Sequence, residues 1–149
     1  MKLTIAWIGK TREPAIQALT DEYLKRLRRY ADAEGISLKD EPALFALACR
    51  DPKMRSKHTL VLLDSRGKQL SSEELAKFIA NHQVRSPLPL LFGIGGADGF
   101  SDQARHAATF TLSLGKMTLA HELARVVLLE QLYRAFTILK GHPYHLGHS

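Results

Sequence analysis

Two short apolar runs constrain this chain more than any other feature, residues 59–63 (TLVLL) and 88–94 (LPLLFGI). Neither alternates polar with apolar, as a strand with one wet face does. Each reads as a strand covered on both faces, as in a parallel sheet. Between them Ser71 is a good N-cap, and Glu74 three residues later completes a capping box for a helix that runs to about His82. Strand, helix and strand in this order make a crossover unit. The expectation is an α/β fold, a mostly parallel sheet flanked by helices.

The remaining segments fit that frame. Residues 2–8 alternate, with Leu3, Ile5 and Trp7 on one side. Pro14 suits a first helical turn, and Ile16, Leu19, Tyr23, Leu27 and Tyr30 then form one apolar helix face. Residues 35–39 can form a short strand, and residues 42–49 a short helix that Asp51-Pro52 ends. Asp64-Ser65-Arg66-Gly67 reads as a turn, residues 95–99 as a glycine-rich loop, 101–108 as a helix and 110–114 as a strand. A long helix is expected over 118–140, followed by an irregular tail from Gly141. With no repeat or linker in its 149 residues, the chain reads as a single domain, 1–149, large enough to bury a core without disulfide or metal.

Cys49 is the only cysteine, so no internal disulfide is possible. No apolar run approaches the roughly 20 residues of a membrane span, and the first residues lack signal-peptide features. The cytoplasm is the expected compartment. The formal net charge is +6. That surplus favours a polyanionic partner, although many soluble proteins are basic without one. Residues 1–58 hold twelve Lys/Arg against eight Asp/Glu. Lys25, Arg26, Arg28 and Arg29 form one basic cluster, and Arg50, Lys53, Arg55 and Lys57 another.

In open α/β sheets ligands bind outside the carboxyl ends of strands. That rule selects the loops after Leu63, Ile94 and Leu114. The second, from Gly93 to Gly99, is not a dinucleotide fingerprint. Asp98 stands in the third glycine place, and no acidic residue follows at about 20 residues to hold a ribose. A tight β–α turn that simply needs glycine explains it nearly as well as a binding loop. His121-Glu122 invites comparison with the zinc motif H-E-x-x-H, but position 125 is Arg. His121 and Arg125 instead share one helix face, where an isolated pair would ordinarily be a cap and a surface cation. His142, His145 and His148 stand among Gly141, Pro143 and Gly147, a poor preformed metal site. Tyr144 beside them could stack on a base. The 118–140 helix is apolar nearly all round, which suggests a twofold dimer interface over a central helix of a monomer.

Residues 92–100 (FGIGGADGF), 112–121 (LSLGKMTLAH) and 125–145 (RVVLLEQLYRAFTILKGHPYH) resemble the RlmH family. These are bacterial SPOUT-class methyltransferases that methylate N3 of a pseudouridine in 23S rRNA. The resemblance extends through 63–72 (LDSRGKQLSS) and 23–27 (YLKRL), essentially the whole chain. Gly93 departs from a usual branched apolar residue, Gly115 from Ser and Ala120 from Pro. The resemblance implies a SPOUT-type fold with a C-terminal trefoil knot, a homodimer and one S-adenosylmethionine per knot, with no metal. It implies cofactor contacts from Leu63, Gly96, Gly115, Lys116, Met117, Thr118, Leu119 and Ala120, the same three strand ends. The implied substrate is 23S rRNA within the 70S ribosome, with neither membrane nor DNA as partner.

On this reading His121 is the candidate base for the N3 proton, and Arg125 stabilises charge on the ring or a nearby phosphate. Tyr144 and His145 reach the partner's site and position the base. Two other classes compete: a non-catalytic ribosome-binding factor, which would not bind S-adenosylmethionine, and a nucleotide-binding enzyme using the glycine loop, against which the missing fingerprint counts. The chemistry is expected within residues 88–145, completed by Leu63.

Overall fold

The structure, a computed structural model, describes residues 1–48 and 58–146, with side chains as far as Tyr144. Its elements are β1 (Lys2–Ile8), α1 (Pro14–Leu27), β2 (Asp32–Leu38), α2 (Glu41–Ala48), β3 (Thr59–Gln69), α3 (Ser72–Arg85), β4 (Leu90–Ile94), α4 (Asp102–Ala107), β5 (Phe110–Ser113) and α5 (His121–Lys140), then a 3-10 turn, Pro143–Leu146. The five strands form one sheet in the order β2-β1-β4-β3-β5, and every neighbouring pair is parallel.

All five residues of β4 are buried, as an apolar run in mid-sheet requires. On one face Leu3, Ile5 and Trp7 join Phe92 and Ile94 beneath α1, α3 and α5. On the other, Ala6, Leu62 and Leu91 meet Leu44 and Ala48 of α2 and Ala104 of α4. α5 supplies Leu128, Leu129, Leu132, Tyr133, Ala135 and Phe136 to the first core, which accounts for its broad apolar surface. The capping box at Ser71 and Glu74 is formed in both directions.

Several boundaries differ from expectation. Residues 64–67 are not a turn, because β3 runs through them to Gln69. The turn chemistry is spent on a bulge instead. Asp64 Oδ1 accepts from the Arg66 N–H at 2.8 Å, and the register with β5 slips between Leu63 and Lys68. Gly67 makes this possible, since a Cβ there would lie 2.7 Å from the backbone of Thr111 and Leu112. β2 begins at Asp32 rather than Gly35, because β1 offers pairing groups from Lys2 onward. α1 stops at Leu27, and Tyr30 reaches the same apolar face from beyond it, stacked on Phe136. β4 starts at Leu90, after Pro87 and Pro89, which have no N–H to give a ladder. α5 starts at His121 rather than Thr118. Cys49, the Asp51-Pro52 helix stop and the cluster Arg50, Lys53, Arg55 and Lys57 lie outside the described residues.

Candidate active site

The carboxyl ends of β3, β4 and β5 frame a cleft of about 290 Å³. Leu63, Gly96, Gly115, Met117, Thr118, Leu119 and His121 line it together. Lys116 and Ala120 belong to the same loop but not to the lining. The walls combine apolar side chains, Leu63, Ile94, Leu112, Leu114 and Leu119, with glycine backbone. At Gly96 an added Cβ would meet nothing nearer than the Ile8 carbonyl oxygen at 3.9 Å, so the missing side chain leaves open wall. Gly115 has φ +137°, a conformation that L side chains rarely adopt, so the Ser more usual there would be strained. Ser113 secures this turn: its Oγ accepts from the Gly115 N–H at 3.2 Å and donates to the Gly115 carbonyl at 3.0 Å.

The glycine loop is anchored at its far end. Arg105 Nη1 donates to the Phe100 carbonyl at 2.7 Å and to Asp64 Oδ2 at 3.2 Å, and its Nη2 meets Asp102. The Asp64 carboxylate is only 8% exposed, so it holds the arginine from inside the cleft wall. Ser101 donates from its backbone N–H and its hydroxyl to Glu41, at 2.7 and 2.9 Å. Sequence reasoning missed Asp64, Arg105, Glu41 and Ser113. Asp64 alone left a signal, as a carboxylate at the end of a buried strand, and that signal was absorbed into a turn.

Arg125 stands behind the cleft wall rather than on it. It is 1% exposed, with its guanidinium 4.0 Å over the Trp7 ring. Nη1 donates to Thr11 Oγ1 at 2.7 Å and to Thr20 Oγ1 at 3.4 Å, while Nε has no partner. Burial pushes its pKa down, and nearby Glu122 pushes it partly back. Glu122 accepts from the N–H groups of Arg12, at 3.1 and 3.3 Å, and of Glu13, at 3.3 Å.

Tyr144 lies away from the cleft in its own chain. Its hydroxyl donates to Glu130 Oε2 at 2.6 Å, and Tyr23 donates to the same oxygen at 2.9 Å. Arg134 holds the other oxygen. Glu130 is nine residues past His121, about 13 Å along the helix. Burial, then the bond to the carboxylate, pushes the Tyr144 phenol well above the usual tyrosine range. The side chain of His145, and all of His148, lie outside the described residues. Among the described residues no three His, Cys, Asp or Glu gather as a metal site, and no helix is long and apolar enough to cross a membrane.

The family model described as predicted SPOUT methyltransferase matches residues 1–145 and places this chain, with its all-parallel sheet and glycine-walled cleft at three strand ends, in that class. A ribosomal RNA large subunit methyltransferase H from Koribacter versatilis is 57% identical over 148 residues, 99% of this chain and 100% of that protein. The chain belongs to the ribosomal RNA large subunit methyltransferase H family. Solved structures share the fold at low identity. A probable methylase family protein from Haemophilus influenzae is 12% identical, with a TM-score of 0.58 over 97% of this chain and 68% of that one. The SpoU methyltransferase AviRb from Streptomyces viridochromogenes, solved with AdoMet, is 13% identical, with a TM-score of 0.51 over 89% of this chain and 57% of that one.

Proposed function

We propose that this chain is an S-adenosylmethionine-dependent methyltransferase of ribosomal RNA, acting on N3 of a pseudouridine in 23S rRNA within the assembled 70S ribosome. The observation that carries the reading is the cleft itself. It gathers Leu63, Gly96 and the 115–119 loop from three strand ends and sets His121 on the same wall. The names of the relatives support the substrate, and the AdoMet complex of a protein of the same fold supports the co-substrate.

The residues present suit that co-substrate. Leu63, Ile94, Leu112 and Leu114 offer an apolar slot for a purine, and the open wall at Gly96 admits close backbone contact. Asp98 supplies negative charge against a cationic sulfonium, while the charge of Asp64 is balanced by Arg105. Leu63, Gly96 and the 115–119 loop would hold S-adenosylmethionine, which would supply an electrophilic methyl group for the ring nitrogen with the thioether as leaving group. The chain's part is to align, to exclude water and to take the N3 proton. His121 receives that proton. Arg125 is too deeply buried to meet a ring oxygen and acts by position. Tyr144 and His145 belong in this reading to the partner's cleft.

The same reading includes a homodimer, a C-terminal trefoil knot and a cytoplasmic setting. Leu19 of α1 and Leu123 of α5 stay exposed, apolar side chains that a second copy would cover.

Mass spectrometry of 23S rRNA from a strain lacking the gene tests the function. The expected result is loss of one methyl from one pseudouridine; an unchanged modification map overturns it. His121→Ala is expected to lower kcat at least tenfold, to abolish its rise with pH and to leave calorimetric affinity for S-adenosylmethionine within about twofold. A normal rate and pH profile would remove His121 as the base.

A further inference from the structure

The segment between β1 and α1, residues 9–13, is fastened from the far end of the chain. Two residues of α5 hold it, more than 100 positions away in sequence. Glu122 takes the backbone N–H groups of Arg12 and Glu13, and Arg125 takes the hydroxyl of Thr11. The second fastening is an unusual one. Arg125 is fully buried with no carboxylate in ion-pair range among the described residues, and one of its nitrogens has no partner. A leucine or methionine would fill much of the same space without the cost of desolvating a charge. Packing alone therefore does not explain the guanidinium. Besides stacking on Trp7 and reaching Thr20 at 3.4 Å, it makes its shortest bond, 2.7 Å, to Thr11 and so fixes this loop.

With Thr11 drawn inward, its neighbours Lys10 and Arg12 are left exposed. Neither side chain has an ion-pair partner among the described residues. The loop that carries them runs beside the cleft wall. The carbonyl oxygen of Ile8, two residues before Lys10, faces Gly96 of the cleft wall, and Glu122 directly follows His121. Two unpaired cations on a loop braced against the catalytic wall suit one ligand chemistry, the phosphodiester backbone of a nucleic acid strand whose base enters the cleft.

We infer that Lys10 and Arg12 form a phosphate-binding lip for the RNA strand beside the target base, and that Glu122 and Arg125 are positioning residues that fix this lip against the cleft. The inference rests on the reading of the cleft as that of an rRNA methyltransferase, and it adds where the strand is gripped and what holds the grip in place.

The test uses the intact protein with purified 70S ribosomes. It follows binding by filter retention across a salt series, methyl transfer by incorporation of labelled methyl, and fold by thermal melting. Lys10→Ala/Arg12→Ala is expected to weaken ribosome binding at least tenfold and to flatten the slope of log K against log salt by about 2. Its kcat at saturating ribosomes and its affinity for S-adenosylmethionine stay within about twofold of the parent. Arg125→Met is expected to fold, to raise KM for ribosomes about tenfold and to leave kcat largely intact. Arg125→Lys, which keeps the charge but not the planar fork, recovers only part of the loss. A purely structural role for Arg125 would lower melting temperature without dividing KM from kcat. If the double alanine variant binds ribosomes as the parent does, with the same salt slope, the lip is overturned while the methyltransferase reading stands. If the variant loses binding but the parent transfers no methyl group, the lip stands and the reaction assigned to the cleft falls.

Discussion

At the scale of single residues, partners far along the chain decide what a side chain can do. The spacing of His121 and Arg125 put them on one helix face, yet Trp7 and Thr11, which decide what Arg125 does, come from the other end of the chain. Tyr144 is similar: its neighbours in sequence suggested an exposed ring, and Glu130 draws it onto α5. That bond has a pH consequence. The phenols of Tyr144 and Tyr23 are both raised, so the folded state favours their protonated forms. Their contribution is fully present below the ordinary tyrosine pKa of about 10 and is lost as pH rises beyond it. Urea unfolding between pH 8 and 11 should show stability falling on the alkaline side, with a shallower fall in Tyr144→Phe. Gly93 gives a second prediction. A Cβ there would lie 2.8 Å from Leu62 Cδ2 and 3.0 Å from Leu44 Cδ2, so these leucines occupy the room of the branched residue usual in the family. Gly93→Val should cost about 1–3 kcal/mol in chemical denaturation, and adding Leu44→Ala should relieve part of the clash.

At the scale of elements, the strands covered on both faces and the capped helix were visible, because apolar runs and capping boxes are local patterns. The extended β3 was not. Asp-Ser-Arg-Gly carries the same local hydrogen bond whether the chain reverses or bulges, and only β5 alongside decides between them. Gly67 marks the difference. At Gly93 the obstruction is the tips of side chains, whereas at Gly67 it is the backbone of β5, which no trimming removes. Gly67→Ala should therefore destabilise by about 1–3 kcal/mol with no side-chain rescue. It should also weaken S-adenosylmethionine binding measurably in calorimetry, since Leu112 and Ser113 of β5 line the cleft. Unchanged affinity in a folded Gly67→Ala protein would contradict this account of the bulge.

At the scale of the whole molecule, the rule that ligands gather at strand ends located the cleft from sequence before any contact was known. It could not supply Asp64, Arg105 or Glu41, whose partners lie 41 and 60 positions away along the chain. The exposed Leu123 of α5 carries the prediction that belongs to this scale. Light scattering should report a dimer, and Leu123→Glu should shift it toward monomer while thermal melting shows a folded chain. A monomeric parent would overturn the dimer.

The strand order also sets a timetable. β1 pairs with β4, so Leu3 waits for Leu90. At roughly 5–20 residues per second of synthesis, that wait lasts several seconds. α5, which completes the cover of one face beside α1 and α3 and lines the cleft at His121, is made later still. Until it arrives, Phe92, Leu90 and Ile5 lack part of their cover, and an interrupted nascent chain exposes apolar surface in place of a finished cleft. The binding wall is completed in the last step of assembly, so capture of a small ligand reports that the entire chain has folded.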